Sequence, residues 1–482
     1  MPPQDSRSPQ HLKPSDVRYL ALEGGGAKGI AYIGALAALE ALDIRLSSGS
    51  HKGVRGISGA SAGSMTAFMY AMRYTPDQLI GIQLAPEAFT KFFESPQINS
   101  IRVVNGQGYV AGHPMVRFVE TGSLHRPVDV TKEAKERRIT ALRKFPFDIN
   151  SPSMGWVPRG KISESLQNLV RSTVQKASMT HPELAPLIKV VTGSPETFFQ
   201  YCYSLLFDLG LFTGVQVRMF LREQLKSYLS RSPGSGSGLR SADLDRWSVG
   251  QFAGDTGVEV AFAATNLTTG LGTYFRGARN TNFPKDKDTS AFPVLDAVAI
   301  SSAFPFAFKP YAVFGQKNVP NGYWLDGGVQ NNLPLHAFDS SPDTPLAPGM
   351  LGIRLEASSQ IFQKFLNDIK SFFDVSIPGF FLLYVFSLLE TAMYPTEGGQ
   401  IRTPQEQAQT VAIEIPAEVL STLSFAPTPD DATAAILLAF DAVAKYFVPG
   451  FDAKTPIGPS ASADERALRL ARSKLSAKLP AG

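Results

Sequence analysis

The stretch Gly56-Ile-Ser-Gly-Ala-Ser-Ala-Gly-Ser64 contains a G-x-S-x-G motif, with Ser61 at its centre and Gly59 and Gly63 on either side. In this motif a serine lies on a sharp turn between a strand and a helix, and its hydroxyl is exposed. The glycines are needed because a Cβ at either position would crowd the turn. The apolar residues before the motif predict a short strand, and segment 65–72 predicts an apolar helix. Because G-x-S-x-G also occurs in turns without a chemical role, the motif alone makes Ser61 a candidate nucleophile.

A second glycine-rich turn lies earlier in the chain, in Leu20-Ala-Leu-Glu-Gly-Gly-Gly-Ala-Lys-Gly-Ile30. Segment 19–22 predicts a strand and segment 30–41 predicts a helix, and three consecutive glycines lie between them. Glycines allow backbone N–H groups to converge where side chains would block the approach, and a helix N-terminus adds positive potential. We therefore expect this turn to favour a nearby anion.

The third motif is Trp324-Leu-Asp-Gly-Gly-Val329, in which the carboxylate of Asp326 ends an apolar run and precedes a glycine turn. Glycine turn, serine motif and Asp-Gly-Gly, in this order, resemble the patatin-like phospholipase family. Further blocks that resemble the family are 211–220, 263–270, 299–306 and 411–416. The resemblance covers segments 17–95 and 205–445.

This resemblance implies an α/β fold, a three-layer α/β/α patatin-like architecture with a central, mostly parallel sheet and a large, mainly helical insertion. The alternation of strands, turns and helices over 17–72 also favours a parallel sheet covered on both faces. Although the length suggests about three domains, the three motifs must meet in one site. The predicted parts are a disordered lead over 1–16, one catalytic domain over 17–450 with an insertion at 75–247, and a basic tail over 451–482 with a helix-capping signature at 462–465.

The resemblance also implies the chemistry, which is hydrolysis of a lipid ester by a phospholipase A, a lysophospholipase or a general acyl hydrolase, without a metal or other cofactor. Ser61 would be the nucleophile and Asp326 the general base of a Ser–Asp dyad. The residues that the resemblance assigns to the oxyanion hole are Gly24, Gly25, Gly26 and Ala27. The residues expected to support the site are Lys28, Gly29, Gly59, Gly63, Gly327 and Gly328. Glu23 places a carboxylate beside the site, and this negative charge needs a partner, for which Lys28 is one candidate.

Other interpretations of these motifs remain open. The order Ser61, Asp326, His336 would fit a Ser–His–Asp triad, but we favour the dyad because the chain moves away after Asp326. The glycines 24, 26 and 29 formally match a dinucleotide fingerprint. That fingerprint requires an acidic residue at the end of the next strand, whereas Asp43 precedes its predicted strand. A non-catalytic or partner-activated protein with the same fold and a general carboxylesterase are the further alternatives.

The amino-acid composition excludes few further classes of function. With 46 basic and 42 acidic residues, the net charge of +4 permits attraction to anionic surfaces and does not indicate nucleic-acid binding. The single cysteine, Cys202, excludes an intramolecular disulfide and fits a reducing compartment. The first ten residues contain no apolar segment, so no Sec-type signal peptide is predicted.

Membrane contact is expected to be peripheral. The uncharged segment 375–389 is shorter than the roughly 20 residues that span a bilayer, so it predicts a buried helix, with a membrane-dipping element or a lid as the alternative. The basic tail could lie on an anionic membrane or form a solvated helix. The expected location is the cytoplasm, or outside the cell after export without a Sec signal, and a protein activator is compatible with the sequence.

Overall fold

The computed structural model describes residues 11–47, 53–85, 88–95, 100–105, 115–117, 190, 200–201, 204–205, 209–231, 244–277, 288–339, 346–356, 401, 403–416, 418–420, 426–455 and 461–480. Its strands are β1 Tyr19–Leu22, β2 Gly56–Gly59, β3 Ser100–Asn105, β4 Met115–Arg117, β5 Gly210–Phe212, β6 Glu259–Asn266, β7 Leu271–Gly277, β8 Phe306–Phe308, β9 Tyr311–Phe314, β10 Gly322–Asp326, β11 Met350–Glu356 and β12 Thr410–Glu414. Its α-helices are α1 Tyr32–Ala41, α2 Ala62–Ala71, α3 Pro76–Gln83, α4 Val215–Arg231, α5 Val249–Thr256, α6 Val294–Ser301, α7 Gly328–Asn331, α8 Pro404–Ala408, α9 Pro429–Phe447 and α10 Ala463–Ser476.

The central sheet has the order β12-β11-β1-β2-β6-β10-β9-β3-β4. Strand β7 pairs with β6 along the edge opposite β2 and β10. The strands β12, β11, β1, β2 and β6 are parallel, whereas β7 and β10 run antiparallel to β6. The predicted α/β fold with a largely parallel central sheet is therefore confirmed.

Two strands lie end to end along the same edge of β6. β2 runs parallel to β6, with Gly59 opposite Phe262, and β10 runs antiparallel, with Asp326 opposite Ala264. Because β7 covers the opposite edge of β6 over nearly its whole length, the carboxyl ends of β2 and β10 face each other at Ala263. This arrangement brings the residues after β2 to the end of β10.

The core lies mainly on the helical face of the sheet. Leu20 and Leu22 of β1 belong to a large cluster that includes buried residues of α1, α2, α6 and α9, whereas Ala21 belongs to a smaller cluster on the opposite side. Helices α1 and α9 cross at backbone contact, since a Cβ on Gly34 would lie 1.8 Å from the carbonyl oxygen of Ile436. These helices hold the glycine turn after β1 firmly against the sheet.

The start of the first helix differs in detail from the prediction. Residues Gly26–Ala31 form a 3-10 helix, and α1 begins at Tyr32. Gly26 has a φ of +55°, so the chain winds tightly as soon as it leaves the glycine turn. Apolar runs in the sequence also predict strands at 258–263, 349–355 and 411–415 and a helix at 430–446. These segments correspond to β6, β11 and β12 and to α9.

The predicted domain boundaries stay predictions, because the segments that would test them are incompletely described. Within 75–247 the structure describes α3, α4 and strands β3 to β5, and β3 pairs with β9 of the central sheet. The lead 1–10 and the apolar segment 375–389 lie outside the described residues. So does the run 132–138, whose basic residues predict a solvated face. In the tail, the capping signature lies at the start of α10, where the Ser462 side chain accepts a hydrogen bond from the Glu465 N–H.

Helix α10 packs against α1 and α9. Leu468 and Leu475 are buried, and Arg472 binds Asp441 of α9 with a shortest nitrogen–oxygen distance of 2.6 Å. In the described part of the chain, no helix is both long and apolar enough to cross a membrane.

Candidate active site

Ser61 occupies a strained turn between β2 and α2. Its backbone has φ 49° and ψ −125°, a conformation that non-glycine residues rarely adopt. Its N–H donates to the carbonyl oxygen of Ser301 at 2.9 Å, and the residue is 7% exposed. The predicted turn is present, and it holds the serine at the N-terminus of α2, where the helix dipole favours negative charge.

Close backbone packing explains the glycines around Ser61. A Cβ on Gly59 would lie 2.4 Å from the backbone of Gly63, and a Cβ on Gly63 would lie 2.3 Å from the Leu22 carbonyl oxygen. The first turn of α2 also touches the glycine turn, because a Cβ on Gly29 would be 2.7 Å from the Cβ of Ala62. Larger residues at these positions would separate the serine turn from the glycine turn.

Asp326 ends β10 and is completely buried. Burial raises the pKa of its carboxyl from 3.8 to about 7, and this shift is opposed by the Gly328 N–H, which donates to Oδ1 at 2.8 Å, and by the nearby Ser61 side chain. Oδ2 has no hydrogen-bond partner of ordinary geometry among the described residues. Gly327 must be small because its Cβ would lie 2.3 Å from the Ala263 carbonyl oxygen. The structure therefore brings the two predicted dyad residues together.

The end of α6 and the residues that follow it hold both Ser61 and Asp326 in place. The Ser301 carbonyl accepts from the Ser61 N–H, and the Ala303 carbonyl accepts from the Asp326 N–H at 3.1 Å. Ser302 adds its hydroxyl, which lies 3.3 Å from the Ser61 carbonyl oxygen. In the sequence, 299–306 is recognisable only as a block that resembles the family, because backbone carbonyls leave no signature in side-chain types.

The glycine turn offers backbone donors beside Ser61. A Cβ on Gly24 would lie 2.9 Å from the Cβ of Ser61, so the glycine turn and Ser61 are in contact. The N–H groups of Gly25, Gly26 and Ala27 form no hydrogen bond with any described residue. The prediction that Gly24 is an oxyanion donor needs correction, because its N–H donates to the carbonyl oxygen of Asn332 at 3.0 Å. Gly24 matters instead because it has no side chain, which would fill the space beside Ser61.

Glu23 and Lys28 are buried on either side of the glycines, and they do not bind each other as the sequence suggested. Glu23 accepts from the Leu355 N–H at 2.6 Å, and Lys28 Nζ donates to the Glu356 carbonyl oxygen at 2.9 Å. Burial raises the pKa of Glu23 to about 7 and lowers the pKa of Lys28 to about 8. Both side chains tie the turn to β11.

Asn332 is a site residue that sequence analysis missed. Its backbone carbonyl accepts from the Gly24 N–H, and its Nδ2 donates to the Gly24 carbonyl oxygen at 3.0 Å and to Glu23 Oε1 at 3.3 Å. The side chain is buried, and Oδ1 has no partner among the described residues. Since Asn332 follows Asp326 by one short helix, it links Asp326 to the glycine turn.

We expect Asn332→Ala to lower kcat on a soluble ester about tenfold to a hundredfold with little change in KM. The reason is that the glycine turn loses the side-chain hydrogen bonds that hold its N–H donors in position. The matched control is Asn331→Ala, since Asn331 is half-buried and donates to the Tyr274 hydroxyl outside the site. Steady-state kinetics and thermal melts of both variants check this. Equal losses in the two variants would contradict a specific role for Asn332.

His336 lies apart from the dyad. Its Nδ1 is 2.5 Å from Asp339 Oδ2, and its Nε2 is 3.3 Å from Glu406 Oε1. Both ring nitrogens therefore face the carboxylates of Asp339 and Glu406 rather than Ser61 or Asp326. Within the described ranges, no group of three His, Cys, Asp or Glu side chains is arranged to hold a metal ion.

The sequence of this chain also matches a known protein family. Residues 20–339, about two thirds of the chain, match the family model described as patatin-like phospholipase. The chain belongs to the patatin-like phospholipase family. Members of this family are lipid acyl hydrolases. No sequence among proteins with curated descriptions matches it.

Solved structures that are similar to this patatin-like chain at low identity include VipD and ExoU. VipD from Legionella pneumophila is 17% identical, with 90% of this chain and 67% of VipD covered and a TM-score of 0.37. The type III effector protein ExoU is 15% identical, with 90% and 53% covered and a TM-score of 0.32. ExoU in complex with SpcU, from Pseudomonas aeruginosa, is 15% identical, with 91% and 54% covered and a TM-score of 0.31. The chain thus spans about half the length of ExoU.

We expect Gly26→Val to lower turnover about 10²–10³-fold, the usual effect of losing one oxyanion donor. The φ of +55° at Gly26 is unfavourable for a β-branched residue, so the substitution shifts the N–H groups of the turn. Gly450→Val is the matched control, because Gly450 also has a positive φ and its Cβ would meet no atom within 4 Å. If both variants keep activity within a few-fold of wild type, the oxyanion hole lies elsewhere.

Proposed function

We propose that this protein is a serine-dependent lipid acyl hydrolase of the phospholipase A or lysophospholipase type, which acts through a dyad of Ser61 and Asp326. The observation that carries the proposal is the buried Asp326 carboxyl beside the strained Ser61 turn. A serine hydroxyl is a weak nucleophile until an adjacent base takes its proton. A carboxyl with a pKa of about 7 is a far better base than one with a pKa of 3.8.

In the proposed acylation step, Asp326 takes the proton of the Ser61 hydroxyl while Oγ attacks the ester carbonyl carbon. The negative charge on the carbonyl oxygen is stabilised by the N–H groups of Gly25, Gly26 and Ala27, which donate to no described residue. The carbon–oxygen bond of the ester then breaks, and the leaving alcohol receives the proton from Asp326. The product of this step is an acyl ester of Ser61.

In the proposed deacylation step, a water molecule gives a proton to Asp326 and attacks the acyl carbon. The same N–H groups stabilise the second oxyanion. The bond to Ser61 Oγ breaks, Oγ regains the proton from Asp326, and a fatty acid leaves. The cycle needs neither a metal ion nor an organic cofactor, because Asp326 handles each proton and the backbone donors handle the charge.

The dyad predicts that kcat/KM on a soluble ester rises with pH and levels off above about 7. The reason is that Asp326 acts as a base only when ionised, and burial holds its pKa near 7. Glu23 titrates in the same range, so Glu23→Gln is the control and should leave the midpoint unchanged. A profile that is flat from pH 5 to 9 in the wild type would contradict Asp326 as the base.

The substrate class is tested by fatty-acid release from phosphatidylcholine, lysophosphatidylcholine, a triacylglycerol and a soluble p-nitrophenyl ester, with Ser61→Ala as the blank. A phospholipase releases fatty acid from the two phospholipids at rates well above those from the triacylglycerol. A general carboxylesterase cleaves only the soluble ester. A protein activator, if one is needed, is detected by repeating the phospholipid assay with added cell extract.

A further inference from the structure

Two exposed leucines flank the turn between β6 and β7, Leu267 directly after β6 and Leu271 at the start of β7. Leu267 is 41% exposed and Leu271 is 65% exposed, the largest exposed fraction among the large apolar side chains that the structure describes. They flank Thr268, Thr269 and Gly270 at the tip of the hairpin, and Asn266 opposite Leu271 is its last registered pair. The hairpin tip therefore presents an apolar pair to its surroundings.

The hairpin tip is held rigidly. The buried Asn266 accepts through Oδ1 from the Thr268 N–H at 2.9 Å and from the Thr269 N–H at 3.1 Å, and its Nδ2 donates to the Pro320 carbonyl oxygen at 3.2 Å. The Gly270 N–H closes the turn on the Asn266 carbonyl oxygen at 2.8 Å. The leucines are thus exposed by a defined turn, with no conformational freedom needed to present them.

The hairpin tip belongs to the active-site edge of the sheet. It follows the carboxyl end of β6, three residues after Ala264, which pairs with Asp326, so it lies about 10 Å beyond the base at a strand rise of about 3.3 Å per residue. Gly272, the residue after the hairpin tip, lies beside the segment that follows Asp326, since a Cβ on Gly272 would lie 3.0 Å from the Cβ of Gln330. A surface that receives the hairpin tip would therefore lie next to the dyad.

The chemistry of the hairpin suits a lipid surface. No charged residue occurs between Glu259 and Arg276, so leaving water costs the hairpin tip no desolvation of an ion. We propose that the Leu267–Leu271 hairpin tip docks into the surface of a lipid bilayer and holds the active-site edge against it. This inference rests on the proposed function in one respect, that the substrate is an ester held in a bilayer.

The test compares vesicle binding with soluble-ester turnover. Flotation with phosphatidylcholine vesicles, in a Ser61→Ala background to prevent hydrolysis, measures binding by the parent, by Leu267→Asp/Leu271→Asp and by Leu267→Trp/Leu271→Trp. The control is Leu470→Asp, because Leu470 is 58% exposed on α10, away from the hairpin. The same substitutions with Ser61 intact are assayed on a p-nitrophenyl ester.

We expect the aspartate pair to weaken vesicle binding at least about tenfold, since two leucines lose their apolar burial. The tryptophan pair should bind at least as tightly as the parent, because Trp favours the membrane interface, and soluble-ester turnover should stay within twofold in both. Vesicle binding unchanged by the aspartate pair, or weakened equally by Leu470→Asp, would overturn the docking role. Absence of turnover on every ester by the wild type would instead refute the proposed function, while the binding result would still decide the docking.

Discussion

Ser61→Ala is expected to abolish ester hydrolysis while the protein stays folded. The substitution removes only the hydroxyl, and the backbone hydrogen bond from residue 61 to the Ser301 carbonyl remains. Without a nucleophile no acyl-enzyme forms, so we expect turnover to fall by more than about 10⁴-fold, of the order seen when a serine nucleophile is removed. Turnover of a p-nitrophenyl ester and labelling by a fluorophosphonate measure this directly.

The matched control for Ser61→Ala is Ser64→Ala. Ser64 is buried in the same helix, and its hydroxyl donates to the Ser61 carbonyl oxygen at 2.6 Å, so it supports the turn without offering a nucleophile. We expect Ser64→Ala to retain fluorophosphonate labelling. Labelling of a folded Ser61→Ala protein at another serine would show that the nucleophile had been misassigned.

Asp326→Asn is expected to be nearly as damaging as Ser61→Ala, with a loss of about 10⁴-fold, the upper range for general base catalysis. An amide still accepts from the Gly328 N–H but cannot take the proton of Ser61. His336→Ala should leave most of the activity, because the imidazole faces Asp339 and Glu406. In a triad the histidine would be as important as the serine, so the two models rank these variants in opposite order.

Asp326→Asn should also stabilise the protein at alkaline pH. The folded-state pKa of Asp326, about 7, lies above the ordinary value of 3.8, so the folded protein holds this proton more tightly than the unfolded chain. Its contribution to stability is therefore present below pH 3.8 and is lost as the pH rises through 7. We expect Asp326→Asn to raise Tm at about pH 8 and to lose this advantage toward about pH 4.

For the choice between dyad and triad, an inactive His336→Ala variant with an unchanged Tm would refute the dyad.

Local patterns in the sequence determined much of this protein. The strand β1, the helices α2 and α9 and the serine turn follow from apolar runs, glycines and capping residues that act over a few neighbouring positions. The same holds for Ser61 and Asp326 as candidates, because the motifs around them need small residues for close backbone contacts. The family resemblance then supplied their expected roles.

Other features depend on which distant segments meet. The contact between the ends of β2 and β10 is decided by the register of both strands on β6, and the raised pKa of Asp326 by the side chains that exclude water around it. Asn332 and the carbonyls of Ser301 and Ala303 hold the site through hydrogen bonds between segments far apart in the chain. Their partners could not be predicted from one sequence, because backbone donors and acceptors are identical at every position and only the tertiary fold selects which of them pair.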